Sequence, residues 1–371
     1  MLQLTSTITE NATIEIGLRD IEVPKPGADE VLIEVKASPI NPSDLGTLVG
    51  AGDLTSIRVE GEGDHAKVIM DIPESVMWAM KPRIGKPLPV GNEGSGIVTE
   101  AGENAKHLIG KVVSAVGGGM YAQYRVLPAM ACIEMPDDIE PKDCASSFVN
   151  PLTALGMVET MKSEGHSALI HTAAASNLGQ MLVKICLADN IPLINIVRKP
   201  EQVDLLKSLG AEYVCNSSDN NFKDSLVEAI KATNATLAFD ATGGGELSGR
   251  ILSCMEIALR ANMNEFSPYG STQHKQVYIY GALNQSGISL PNNRSFGMYW
   301  GIGGWLLTPF LENAGMEKNI ELRQRVSSEI KTTFASSYTK EISLAQALSL
   351  DEMMVYGSIA TGKKYLINPS L

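Results

Sequence analysis

The sequence predicts an α/β protein in two parts: a β-rich, barrel-like domain and a doubly wound parallel sheet flanked by helices. Three observations carry this. A chain of 371 residues is roughly two to three ordinary domains long. Its first third reads as short alternating strands punctuated by glycine, and from about residue 150 strands and helices alternate. The expected division is 1–150 with 335–371 for the β-rich domain and 151–334 for the parallel sheet.

In the first part, DEVLIEVKAS (29–38) alternates apolar and polar residues as a half-buried strand does. EGSGIVTEAG (93–102) and GKVVSAV (110–116) are further short strands. Residues 52–90 hold an acidic, glycine-rich stretch, EGEGDH, and then a proline-rich run, MKPRIGKPLP. They read as a long surface excursion with a hairpin of its own at AKVIMDIP.

In the second part, ALIHT (168–172) is a short apolar strand, 177–189 has helical periodicity through Leu178, Met181, Leu182 and Ile185, and LINIV (193–197) is a strand again. The next helix has Pro200 in its first turn and Gly210 past its end, the expected start and stop. EYVC (212–215), a helix at 222–232, TLAFD (236–240), a helix at 246–260 and VYIYGAL (277–283) extend the alternation. After about 335 shorter elements end in KKYLIN, a strand expected to rejoin the first domain.

Composition narrows the function. Hydrophobic residues make up 44% and charged residues 19%, a globular profile. Lys+Arg 30 against Asp+Glu 42 gives a net charge of −12, which repels nucleic acid and anionic lipid, so neither is an expected partner. An anionic ligand then needs a local basic spot. The five cysteines (132, 144, 186, 215, 254) form no C-x-x-C pair, which argues against disulfides or a zinc knuckle and for a reducing, cytoplasmic setting. MLQLTSTITENATIEI lacks the basic and apolar regions of a signal peptide, and the longest apolar stretch, 298–311, is too short and too broken to span a bilayer.

ALIHT runs into AAASNLG and a helix, the place where a dinucleotide-binding fold carries G-x-G-x-x-G. The three glycine positions here read Ala174, Ser176 and Gly179. The physical need is small residues and N–H groups at a helix start, with Ser176 or Asn177 as cap, so Ala175, Ser176, Asn177, Leu178 and Gly179 are candidate cofactor contacts. About 20 residues further on, an acidic side chain would select NAD by its ribose 2′-hydroxyl, whereas Arg accommodates the 2′-phosphate of NADP. The chain has Arg198 and Lys199 there, which predicts NADPH. The alternative is a solvated Arg-Lys turn.

Several segments, in order and covering nearly the whole chain, resemble the medium-chain dehydrogenase/reductase superfamily, in its zinc-independent branch of quinone oxidoreductases and enoyl-thioester reductases. They are DEVLIEVKASPINPSDL (29–45), LPVGNEGSGIVTEAG (88–102), GGMYAQYRVLP (118–128), NPLTAL (150–155), the turn at 174–179, KSLGAEYV (207–214), FDATGG (239–244) and YGAL (280–283). The resemblance implies a GroES-like catalytic domain beside a Rossmann domain. Where zinc-dependent members hold their catalytic metal, the matching positions are Asn41, Asn92 and Asn150, poor zinc ligands, so no metal is expected. Without a Lewis acid, hydride from NADPH must reach an acceptor that takes electrons readily.

The resemblance further implies that Asn41 (from INPSD) and Thr153 (from NPLTA) face the cleft of cofactor and substrate and are the candidate catalytic residues, with turn-stabilising roles as the alternative. It adds Gly281 and Lys363, the latter in SIATGKKYLI, as cofactor contacts. Enoyl reductases of the family carry a tyrosine shortly after the N-P-x-D segment, but residues 45–90 contain none. Tyr121 and Tyr124 are expected to pack. WGIGGWLLTPF (300–310) suits a hydrophobic tail pocket or a homodimer interface. The expected function is NADPH-dependent reduction of a quinone or similar conjugated carbonyl by a homodimer. Enoyl or enone reduction, or non-catalytic NADPH sensing, are the alternatives.

Overall fold

The computed structural model describes residues 1–358 and 362–371. Contacts divide the chain into two units, Met1–Val149 with Arg323–Leu371, and Asn150–Leu322. Along the chain the first strands are β1 (Leu2–Ile8), β2 (Thr13–Asp20) and β3 (Glu30–Pro39), followed by α1 (Pro42–Leu48). Next come β4 (Arg58–Glu60), β5 (Lys67–Asp71), α2 (Glu74–Met80), β6 (Leu88–Pro89) and β7 (Glu93–Ala101). β8 (Val112–Val116), β9 (Tyr124–Pro128), β10 (Cys132–Glu134), α3 (Pro141–Cys144) and α4 (Val149–Ser163) follow.

The alternating part comprises β11 (Leu169–His171), α5 (Asn177–Ala188), β12 (Leu193–Val197), α6 (Pro200–Ser208), β13 (Tyr213–Asn216) and α7 (Phe222–Thr233). It continues through β14 (Leu237–Asp240), α8 (Leu247–Ala261), β15 (Lys275–Ile279), β16 (Trp300–Gly304) and α9 (Leu307–Ser328). The chain closes with β17 (Lys340–Ile342), α10 (Leu350–Tyr356) and β18 (Tyr365–Ile367).

The first unit holds two sheets. One runs β4-β5-β2-β1-β6; the other runs β10-β8-β7-β3-β18-β17, with β9 also on β3. β18 pairs antiparallel with the end of β3, Leu366 opposite Pro39, so the last strand lies beside the segment that leads into α1. The expectation that 52–90 is a surface excursion is corrected here. Val68, Ile69 and Met70 are buried, and β5 pairs with β2 over five residues, because Val68 and Met70 supply the apolar side chains that pack with Ile14 and Ile16. The hairpin partner of β5 is β4, so AKVIMDIP provides one strand rather than two.

The second unit contains a six-stranded parallel sheet in the order β13-β12-β11-β14-β15-β16. Strand order reverses between β11 and β14, which creates the crevice where doubly wound sheets take their ligands. Ile170, Ile194, Ile196, Ala238 and Val277 form its core with Leu226, Ile230, Ile251 and Met255 from α7 and α8. The two units meet in sequence at Leu322 and Arg323, inside α9, rather than near 335. The reason is local: Arg323 donates to the Met130 carbonyl, Ser327 to that of Glu134 and Lys331 to that of Asp138, a helical repeat tied to β10 and its flanks.

Met70→Ala would remove a fully buried side chain from the β5 core and is expected to cost about 2–5 kcal/mol by urea unfolding. A loss below about 0.5 kcal/mol, the range of surface substitutions, would return this segment to the surface.

Candidate functional site

In the second unit the strand-to-helix turn after β11 is built from small residues under tension. Ala173 has φ +49, a conformation L side chains adopt at a cost, and a Cβ on Gly179 would collide with the carbonyl of Ala174. Gly179 is therefore required for the helix to start this close to the strand. Ser176 is the N-cap of α5, its Oγ accepting the Gly179 N–H at 3.1 Å. Asn177 and Leu178 occupy the first turn of α5.

Arg198, Lys199 and Gly281 lie on the same edge of the sheet, where the strands end. Arg198 follows β12, its N–H donating to Gln202 Oε1 at 3.1 Å and its carbonyl accepting from Ser218 Oγ at 2.9 Å. The backbone is thus fixed while the guanidinium is exposed. Lys199 is the N-cap of α6, its ammonium exposed and 3.8 Å from Glu201. Gly281 follows β15, and a Cβ there would stand 2.6 Å from the carbonyl of Ala241. Thr153 lies in α4, buried.

Sequence reasoning passed over the group that braces this edge. Asp240, at the end of β14, accepts hydrogen bonds from Thr172 Oγ1 (2.8 Å), Thr242 Oγ1 (2.6 Å) and Ser248 Oγ (2.7 Å). Thr172 Oγ1 in turn accepts the Ala241 N–H, so the turn after β11 is fastened to the loop after β14. Beside it, His171 Nε2 and the Tyr280 hydroxyl are 2.6 Å apart, while His171 Nδ1 is buried without a partner. Burial pushes this imidazole down to about 4, so it is neutral at physiological pH. His171 is a core residue with only one of its nitrogens satisfied.

The first unit contains a second cluster, centred on Glu93 at the start of β7. This carboxylate is fully buried. It accepts Asn41 Nδ2 at 2.8 Å and the N–H groups of Phe148 and Val149 at 2.8 and 2.9 Å, where α4 begins. Burial raises its pKa; Lys364 and the three donors oppose that. Lys364 donates to Ser146 Oγ at 2.7 Å and lies 5.7 Å from the Tyr338 ring centre, and burial pushes its ammonium down to about 8.

Asp44 is the other buried acid, accepting from the N–H groups of Asn41 (2.8 Å) and Asn92 (2.7 Å). Burial pushes it up to about 6 against those two bonds. Asn41 thus heads α1 with a side chain already committed to Glu93. Tyr121 is buried with its hydroxyl on the Pro39 carbonyl, and Tyr124 is half-buried in β9; both pack. Lys363 is exposed, and its neighbour Lys364 holds the interior position. Of SIATGKKYLI, residues 359–361 lie outside the described residues.

Two of the three positions matched to a catalytic zinc are engaged in hydrogen bonds of the first unit. Asn41 and Asn92 use their amide N–H groups as donors, to Glu93 and to Ser43 Oγ. Among the described residues no group of three or more His, Cys, Asp or Glu side chains could hold a metal ion. Nor, among them, is any helix long and apolar enough to cross a membrane.

A parallel sheet in doubly wound order, with a small-residue turn at its switch point and a separate β-rich unit, defines a protein of the dinucleotide-binding oxidoreductase type. Residues 27–137 match the alcohol dehydrogenase GroES-like domain and residues 178–279 the zinc-binding dehydrogenase domain. The chain belongs to the medium-chain dehydrogenase/reductase superfamily. Among its relatives is the mitochondrial enoyl-[acyl-carrier-protein] reductase of Xenopus tropicalis, 24% identical over 74% of this chain and 68% of that protein. The human enzyme of that name is 29% identical over 56% of this chain, and the match spans about half of its length, 52%. A solved structure from Mesorhizobium loti, provisionally named an NADPH:quinone reductase, is 26% identical, with a TM-score of 0.72 over 100% of this chain and 98% of its own. The Escherichia coli quinone oxidoreductase complexed with NADPH shares the fold at 17% identity and TM-score 0.71, both chains covered in full.

The Asp44 proton gives a signed prediction. Its folded-state value of about 6 lies above the ordinary 3.8, so the native chain holds this proton longer than the unfolded one. The group's contribution to stability is present below about pH 4 and falls by roughly 3 kcal/mol as pH rises through 6. Asp44→Asn should flatten that part of the stability profile, measured by urea unfolding from pH 4 to 7; an unchanged slope would contradict the assignment.

Proposed function

We propose that the chain transfers hydride from NADPH to a quinone or a similar conjugated carbonyl acceptor, without a catalytic zinc. The observation that carries the cofactor choice is the basic pair Arg198 and Lys199, exposed at the end of β12 with no acidic residue in the ribose-selecting place. In a chain of net charge −12, this pair supplies a local site for the 2′-phosphate.

NADPH, when bound, supplies the hydride. The protein's own part starts at α5, whose first turn, with Asn177 and Leu178, and whose Ser176 hydroxyl offer donors to a pyrophosphate, with Ala175, Ser176 and Gly179 small enough at the turn for close approach. Gly281 keeps the loop after β15 close to the backbone of Ala241. Lys363 is assigned to the cofactor phosphates, and Asn41 and Thr153 to the nicotinamide and substrate side. Amides where relatives of another branch hold zinc leave no Lewis acid to polarise an ordinary ketone, which favours an acceptor already conjugated. The relatives named enoyl reductases support a second reading, reduction of an enoyl thioester; the absence of tyrosine from residues 45–90 speaks for the quinone. We also infer a homodimer, expected at twice 39.7 kDa in sedimentation.

Two measurements test this. Steady-state assays should show NADPH oxidation with 1,4-quinones and little with 2-enals or enoyl thioesters. Turnover on thioesters alone would select the second reading, and tight NADPH binding with no turnover would leave a sensor. Arg198→Asp should weaken NADPH at least about tenfold while sparing NADH, by fluorescence titration, equivalent to about 1.4 kcal/mol. An unchanged preference would sink the 2′-phosphate assignment.

A further inference from the structure

A cleft of about 510 Å³ lies within the second unit, lined by the later turns of α4, by Tyr278 of β15, and by the segment from Gly304 into α9. Its volume falls in the range of small-molecule sites. None of the residues assigned to the cofactor above lines it.

The apolar wall is rigid. Trp305 and Phe310 have ring centroids 5.6 Å apart, and Trp305 also packs edge-on against Phe239, itself 5.6 Å from Tyr278. Gly156 makes this possible, since a Cβ there would stand 3.0 Å from Trp305 and 3.1 Å from Phe310. Trp305 Nε1 donates to Thr160 Oγ1 at 3.1 Å, which fixes the indole plane.

The rim is acidic with one carboxylate left over. Glu159 is spent on Lys162 at 2.8 Å and Lys318 at 3.4 Å, and Lys318 is shared with Glu321 at 2.7 Å. Glu164 accepts the Tyr278 hydroxyl at 2.7 Å, and among the described residues no lysine or arginine pairs with it. Its nearest basic group, His166, stands 3.8 Å away with Nδ1 bonded to Thr236. Burial lowers the pKa of that imidazole, so it brings no charge at neutral pH.

An unneutralised carboxylate beside a fixed set of aromatic rings is the arrangement that recognises an organic ammonium ion, by Coulomb attraction at the acid and by attraction of the cation to the ring faces. We propose that this cleft binds a small organic ammonium compound, its charged head at Glu164 and its alkyl or aryl groups on the wall of Tyr278, Trp305 and Phe310. The site is separate from the proposed cofactor residues and does not depend on which acceptor is reduced.

Calorimetric titration of the 371-residue chain with choline and with its neutral isostere 3,3-dimethylbutan-1-ol tests this. Choline is expected to bind saturably and at least tenfold more tightly than the alcohol. Glu164→Gln should abolish that advantage, and Phe310→Ala should weaken both ligands. Because Glu164 is on the surface, its variant should keep the wild-type melting temperature and NADPH affinity. Equal affinities for the two ligands, no saturable choline binding, or choline binding unaltered in Glu164→Gln would each overturn the proposal.

Discussion

The structure of the first unit depends on keeping one buried carboxylate satisfied. Glu93 sits at 0% exposure, where an isolated negative charge would be prohibitively costly. Its partners come from three places in the sequence: Asn41 at the head of α1, the Phe148 and Val149 N–H groups at the head of α4, and the Lys364 ammonium next to β18. Each partner fixes the element that carries it. The helix start at 149 gains a negative charge at its N-terminus, a favourable place for it, and the chain's last strand gains a reason to lie beside β3. Removing one partner would leave buried charge unpaired, which costs more than the pair contributes.

The second unit solves a related problem with neutral groups. Asp240 is also buried at a strand end, and three hydroxyls and the Thr242 N–H satisfy it, with no salt bridge among the described residues. Its network spans the switch point between β11 and β14, so the turn proposed for the pyrophosphate is fastened to the loop after β14. The strain at Ala173 and the close approach at Gly179 are tolerated because this bracing over-determines the turn.

Much of this was legible in the sequence, and the failures have physical causes. Hydrophobic periodicity located every strand of the parallel sheet from β11 to β15 within a few residues, since buried parallel strands read as short apolar runs. A pattern search for three glycines would miss the turn, whereas the requirement for small residues finds it. Glu93 and Asp44 escaped because a charged residue in N-P-S-D or G-N-E reads as a turn; the signal available was a lone acid between glycines at the start of a strand otherwise apolar. Lys363 and Lys364 are adjacent, and only the tertiary structure shows which is interior. The segment 52–90 misled because its acidic and proline-rich flanks outweighed the three residues that enter the core.

The central claim is hydride transfer from NADPH to a conjugated acceptor without zinc. Its most direct test is NADPH oxidation with a 1,4-quinone by protein stripped with a strong chelator and checked for metal by mass spectrometry. The account predicts that turnover survives stripping and that added zinc does not raise it. Activity that disappears with the metal and returns on stoichiometric zinc would contradict it.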